Sequence, residues 1–379
     1  MTIETASHYS DVTSSAPSYL DEYEQQYEED PRQAAREWFA DAKYGLFLHY
    51  GLYSLLSNHE WVQYHERIEP ANYAQLQHHF TAESFDAEHI VEFAQDCGMN
   101  YITFTARHHE GFCLFESDYT TYSAVEAPAG RDLVAELSDS CQEAGLGLFL
   151  YYSHGYDWHH PHAPNRDEWG DPVRPAYDEQ PGCYADAGHD LDIYLDYLES
   201  QVEELLTQYG PIAGIWLDPS YLPQRDPERF AKAFHLESLY KTVRDSQPQT
   251  LISYKEGVTG TEDFVTPEHE TGARDVLGEV CTTMIPGEAY RDEMAGQWGY
   301  GGEGGQNQQQ VSTSWGYAKA AEGIHRDADE VWEKLSATLA DGYNLLLNVG
   351  PLPDGRLDPE DVETLRAVGD RIECEGYPD

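Results

Sequence analysis

The 379-residue chain carries 22 Lys+Arg against 70 Asp+Glu, a formal net charge of −48, with 40% hydrophobic and 13% aromatic residues. Such an acidic surface excludes nucleic acid and anionic membranes as partners, because binding either polyanion rests on Lys and Arg neutralising phosphates. No apolar run approaches the roughly 18–20 residues of a membrane span, and MTIETASHYS lacks the basic and apolar regions of a signal peptide, so the expected location is cytoplasmic.

Residues 1–30, including DEYEQQYEED, read as a mobile acidic lead-in, and 31–379 as one α/β domain. Apolar runs at Tyr44–Tyr50, Tyr101–Thr105, Gly147–Tyr152, Ala213–Leu217, Thr250–Tyr254, Val280–Met284 and Asn344–Val349 predict strands. Between them lie helical stripes. Ile90, Val91, Ala94 and Cys97 end at Gly98; Leu133, Leu137 and Cys141 end before Gly145; Tyr194, Leu198, Val202, Leu205 and Tyr209 end before Gly210. Strand and helix in alternation predict a parallel sheet.

No GxGxxG or GxxxxGK[ST] follows the first strand, which removes support for an open nucleotide-binding sheet. His49, His108, His109, Tyr151, Asp218 and Lys255 crowd the C-terminal ends of different strands. In a (β/α)8 barrel those ends meet at one mouth, where active sites are built. The expectation is a TIM-like barrel, irregular because seven strands are found where eight are needed. Met284 to Ser314, with GYGGEGGQNQQQ, reads as a long loop or insertion.

The acidic residues are spread along the chain, and only six residues are Lys. In molar salt the screening length falls to about 3 Å, so like charges tolerate one another; the composition is that expected of a salt-adapted, halophilic protein. The six Cys show no CxxC pair, and neither a disulfide nor a metal site is expected.

Asp218, in GIWLDP, sits directly after a strand in the same alternation as Trp216. A turn or N-cap Asp is common there; the other reading is a carboxylate nucleophile paired with a carboxyl acid, as in retaining glycosidases. Adjacent His108 and His109 both face a ligand only where their strand has already become a loop. HHEGF does not match HExxH, so hydrogen bonding to a polyhydroxylated ligand is the more economical role.

From Trp38 to Ile372 the chain resembles the α-L-fucosidase family of retaining glycoside hydrolases (family 29), on KYGLFLHYGLYS, NHEWV, FDAEHIVEFAQDCGMNYITFTARHHEGFCLF, RDLVAELSDSCQEAGLGLFLYYSHGYDWHH, GPIAGIWLD, TPEHE, SWGY and GYNLLLNVGPLPDG. The resemblance implies a catalytic barrel over 31–379, a fucosylated oligosaccharide as substrate, no cofactor, and double displacement with Asp218 as nucleophile. It implies a sugar pocket lined by His49, Glu60, Trp61, His108, His109, Tyr151, Trp216 and Trp315. For the acid/base it leaves Glu268 of TPEHE, which is favoured, and Glu279 of EVCTTM. Lys255 stands where many relatives carry an Arg, and the chain stops soon after Ile372, without the β-sandwich that often follows the barrel. Two other readings stay open: the same mechanism on another fucose-like sugar such as an α-L-galactoside, and a fucose-binding barrel without catalysis. A metallohydrolase built on the His cluster is a weaker fourth.

Overall fold

The computed structural model describes residues 15–170, 173–185, 188–219, 222, 226–255, 257–270, 276–287 and 314–378. Its strands are β1 (Tyr44–Leu48), β2 (Tyr101–Arg107), β3 (Gly147–Ser153), β4 (Gly214–Asp218), β5 (Leu251–Ser253), β6 (Glu279–Thr283) and β7 (Asn344–Val349). All pair in parallel, in the order β5-β4-β3-β2-β1-β7-β6. That is a barrel with a gap between β5 and β6.

The segment from Phe264 to Glu268 fills the gap. Phe264 bridges Ser253 of β5, while Val265 bridges Gly278 and Glu268 bridges Cys281 of β6, all in parallel. On one side the Thr266 amide donates to Lys255 O at 2.7 Å; on the other, Cys281 N donates to Pro267 O at 3.1 Å. Pro267 has no amide hydrogen to give, so the pairing is broken into single bridges. This is the eighth stave, and it eludes a search for apolar runs because TPEHE is polar.

Alternation sorts the strand residues. Leu46, Leu48, Ile102, Phe104, Leu148, Leu150, Ile215 and Leu217 face outward, into one core with the helices Ala87–Asp96, Leu133–Ala144 and Leu191–Thr207. Phe47, Tyr101, Phe149, Tyr151 and Trp216 point inward, and Trp38 and Phe39 of the helix Pro31–Asp41 join them. Glycine makes room for this aromatic filling. A Cβ on Gly147 would lie 2.3 Å from the Trp38 ring, one on Gly45 2.4 Å from the Tyr101 ring, and one on Gly214 2.3 Å from the Phe149 ring.

The N-terminal segment departs from the expected mobile lead-in. Residues 1–14 lie outside the described residues, but Ser18–Tyr23 and Glu24–Glu29 are helical, with Tyr19, Leu20 and Tyr27 buried. Tyr19 meets Trp38 edge-on at 4.7 Å. The acidic content of DEYEQQYEED conceals a Tyr/Leu face that packs on the barrel floor. Buried Asp263 ties this floor to the eighth stave: its carboxylate accepts from Arg32 Nε at 2.6 Å and from the Ile252 amide at 2.9 Å.

Part of the acidic surplus serves the helices. Asp30, Asp86, Asp132, Asp190, Asp226, Asp327 and Asp358 each cap a helix N-terminus with the side chain on a first-turn amide, satisfying donors that have no intrahelical partner and placing negative charge at the positive end of the helix dipole. The Cys thiols are free, with Cys97, Cys113, Cys141 and Cys281 buried. Most of the expected insertion, 288–313, lies outside the described residues.

The tight floor makes a testable demand. Gly147→Ala should lower stability by about 1–3 kcal/mol, the usual cost of overpacking. Adding Trp38→Leu should recover part of it in urea melts. An unchanged midpoint in the single variant would show that the ring has room to retreat.

Candidate active site

Asp218 ends β4 two residues after Trp216, so its carboxylate faces the barrel axis at the mouth. Its main chain is fixed from behind: the amides of His154 and Gly155 both donate to Asp218 O at 3.1 Å. Tyr151 OH donates to Oδ2 at 2.7 Å, His109 Nε2 lies 3.8 Å from the same oxygen, and Lys255 Nζ lies 3.5 Å from Oδ1. One carboxylate thus accepts from a phenol and faces an ammonium, with a neutral imidazole close by, each from a different strand end.

Lys255 follows β5 and reaches a second carboxylate, with Nζ 2.5 Å from Glu268 Oε1. Burial works against its charge, but Asp218 and Glu268 outweigh it and push the ammonium's pKa up. The residue sits at φ 35°, a left-handed conformation sparsely populated by side chains other than Gly; His269, next to Glu268, sits at φ 63°. Such backbone persists only where its surroundings over-determine it. Here they do so around the two carboxylates.

The imidazoles are buried and neutral. Burial, offset in part by Asn348 and Asp218, pushes His49 down to about 3; burial, opposed by Asp218, takes His109 down to about 4. Burial, with His109 and His49 beside it, drives His108 well below the usual range. Their hydrogen bonds also fix tautomers. Ser153 Oγ donates to Tyr156 O at 2.7 Å, so at its 2.7 Å contact with His109 Nδ1 the ring nitrogen must be the donor. Asn348 Nδ2 donates to Trp315 O at 2.7 Å, which turns Asn348 Oδ1 to His49 Nδ1 at 2.6 Å and makes that nitrogen a donor too. Both rings therefore keep Nε2 as an acceptor. His108 Nδ1 is buried with no hydrogen-bond partner among the described residues.

Both His108 and His109 reach the site because β2 ends at Arg107, directly before them. A register shift between Thr105 and Arg107 turns Arg107 outward, over the Tyr152 ring at 4.3 Å, and frees the following loop. Fully buried Arg107 forms an ion pair with Asp157 and donates to Ser153 O at 2.7 Å. Asp157 in turn accepts the His159 and His160 amides, locking the loops after β2 and β3 together.

Aromatic rings line the rest. Trp61 stands edge-on to His109 at 5.1 Å and to Trp158 at 5.3 Å; Trp315 lies 5.2 Å from His49. Glu60 is anchored through one oxygen: Oε2 accepts the Trp315 and Gly316 amides at 2.9 and 3.0 Å, and burial raises its pKa to about 7 against those bonds. It seats the Trp315 backbone.

The structure separates the two acid/base candidates. Glu268 lies at the mouth end of the eighth stave. Glu279 begins β6, at the opposite end of the barrel, with Oε1 accepting from Trp216 Nε1 at 2.8 Å and Oε2 from Tyr101 OH at 2.6 Å. Burial raises its pKa to about 7, the two donors pulling the other way. Both oxygens are occupied beneath Trp216, so the expectation of Glu279 as an alternative acid is corrected: it is a floor residue. Asn348, Ser153 and the Arg107–Asp157 pair were not singled out in the sequence. An Arg inside an apolar strand, YITFTAR, was the available signal, since a buried Arg demands a carboxylate partner. Among the described residues no group of three His, Cys, Asp or Glu side chains is placed to hold a metal ion.

The geometry can be set beside known proteins. A model of the family described as alpha-L-fucosidase matches residues 12–377. An alpha-L-fucosidase of Dictyostelium discoideum is 26% identical over 359 residues, covering 88% of this chain and 68% of its own length. The structure of alpha-L-fucosidase isoenzyme 1 from Paenibacillus thiaminolyticus superposes with a TM-score of 0.77 at 30% identity, over 91% of this chain and 77% of that one. The alpha-L-fucosidase of Lactobacillus casei in complex with its alpha-L-fucose product gives 0.71 at 28% identity, over 89% and 98%. With the family model spanning nearly every residue and the fold shared from floor to mouth, this chain belongs to the alpha-L-fucosidase family.

Proposed function

We propose that the chain is an exo-acting, retaining α-L-fucosidase that releases terminal fucose from glycans or glycoconjugates, with Asp218 as nucleophile and Glu268 as acid/base. The observation that carries the mechanism is the single ammonium of Lys255 touching both carboxylates. Its two contacts keep the nearest carboxylate oxygens within about 6 Å, near the roughly 5–5.5 Å of retaining enzymes and short of the 6.5–9.5 Å that leaves room for an inverting water.

Each step then has a residue. Asp218 attacks the anomeric carbon while Glu268 protonates the departing oxygen; water, deprotonated by Glu268, later cleaves the glycosyl ester. The acceptor nitrogens of His49 and His109 suit sugar hydroxyls, and Trp61, Trp216 and Trp315 offer apolar faces to a deoxysugar's methyl group. A hydroxyl buried without a partner costs about 1–3 kcal/mol, so this set of acceptors also selects the sugar.

Asp218→Gly should lose at least about a thousand-fold in turnover, and azide should restore part of it by attacking the open anomeric face. Near-wild-type activity without azide would end the assignment. Glu268→Ala should retain far more activity on nitrophenyl fucoside than on fucosyl disaccharides, because general acid matters most for poor leaving groups. Glu279→Gln should lower the melting temperature with no such dependence, and leaving-group sensitivity there would reverse the roles. Release of nitrophenol from α-L-fucoside against α-L-galactoside decides the sugar.

We also propose that the acidic surface is a salt adaptation. Several of the few cations are engaged with carboxylates in the fold or the site: Arg32 and Arg36 with Asp263, Arg107 with Asp157, Arg131 with Glu136, and Lys255 in the site. The surface is left with little to balance its carboxylates. The melting temperature should rise steeply from dilute buffer to molar KCl, where screening shortens to about 3 Å; a flat series would refute it. Acid should not replace salt. Burial depresses the folded-state pKa values of His49, His59, His65, His109, His154 and His160, which outnumber Glu60, Glu110 and Glu279 with their raised values, so on balance the unfolded chain takes up protons that the folded one refuses. Stability should therefore fall as pH drops from about 6.5 toward 4.

A further inference from the structure

Lys255 is shared between two carboxylates that do not keep the same charge through a retaining reaction. In the free site its Nζ is 3.5 Å from Asp218 Oδ1 and 2.5 Å from Glu268 Oε1. In the first step an Asp218 oxygen bonds to the anomeric carbon, the glycosidic C–O bond breaks, and the leaving oxygen takes the proton of Glu268. Asp218 is then a neutral ester and Glu268 an anion. In the second step water bonds to that carbon, the ester bond breaks and returns its electron pair to Asp218, and the water proton passes to Glu268. The first step needs Glu268 protonated, and the second needs it ionised.

We propose that Lys255 is a positioning residue that biases this cycle: once esterification removes the Asp218 charge, its ammonium has Glu268 as its only anionic partner in the pair and holds it in the base form that activates water. This rests on the fucosidase reading and deepens it. An ammonium fits the task better than a guanidinium fork, because a compact cation on a flexible stem shifts its weight between two anions without losing a bidentate geometry.

The other groups around the pair do not supply the same switch. Facing it are His109 from the loop after β2, Glu60 from the loop after β1, Cys281 from β6, and His269 beside Glu268, whose carbonyl accepts from Lys334 Nζ. Burial keeps the imidazoles neutral and the Cys281 thiol protonated. Glu60 titrates near neutrality but is tied to the Trp315 and Gly316 amides, and it is the same in every variant compared below.

The test uses the full chain with nitrophenyl α-L-fucoside. Lys255→Met should show a burst of about one nitrophenol per site, then a steady rate at least about tenfold below wild type, because loss of the bias slows the base-assisted step most. Azide, which needs no general base, should accelerate that slow phase and yield fucosyl azide. The alkaline limb of kcat/KM should move up by about one pH unit or more, since an opposite charge at this distance favours the carboxylate. Lys255→Gln should behave like Lys255→Met, and Lys255→Arg, which keeps the charge but not the compact head, should restore most of the limb and shrink the burst without reaching the wild-type rate. Slow turnover in Lys255→Met without burst, azide response or limb shift would overturn the proposal and leave Lys255 a sugar contact. If the wild-type chain releases no nitrophenol from the fucoside, the fucosidase reading itself fails, whatever the variants do.

Discussion

The site depends on how the barrel closes. Phe264–Glu268 is held to β5 and to β6 by single bridges, and that placement carries Glu268 to the mouth beside Lys255. β4 delivers Asp218 to the same point by simple alternation after Trp216. Without the stave the sheet would have an open edge between β5 and β6, and Lys255 would lose the Glu268 carboxylate that it shares with Asp218. Closure of the barrel and the pairing of the two carboxylates are one geometric event.

Around that junction the chain places its polar groups in layers. Asp218, Tyr151, His109 and Lys255 form the layer at the mouth. Behind them Ser153 and Asn348 set the imidazole tautomers, and Arg107 with Asp157 welds two loops. Beneath, Glu279 joins Trp216 to Tyr101. A buried carboxyl with two donors and a pKa near 7 keeps the indole above it in one orientation, and Asp218 follows that indole in the strand. Removing one partner from so buried a set leaves the others unsatisfied, which is why rigidity at the mouth reaches down to the floor.

Strand positions, helix stripes and the barrel class were legible in the sequence because apolar periodicity survives even this charge. Asp218 was visible as a carboxylate in phase with Trp216, which periodicity alone does not tell from a turn or N-cap Asp; only the family resemblance pointed to a nucleophile. Three features were hidden. The eighth stave is polar and broken by Pro267, so no apolar run marks it. The helices at Ser18–Glu29 carry their apolar face among acidic residues, and overall composition masks three buried side chains. Glu268 and Glu279 look alike in one dimension; the direction of β6 puts one at the mouth and the other at the floor. Motif resemblance places Glu60 in the sugar pocket; what the sequence does not show is that one of its oxygens, Oε2, also holds the Trp315 and Gly316 amides.

The central claim is that Asp218 and Glu268, spaced by one ammonium, act as a retaining pair. The stereochemistry of the first-formed product tests it most directly. Proton NMR of nitrophenyl α-L-fucoside hydrolysis, followed from the first turnovers before mutarotation, should show the α-anomer of L-fucose appearing first and the β-anomer growing later. Initial appearance of the β-anomer would mean a single displacement by water, which two carboxylates this close cannot accommodate, and would contradict the account.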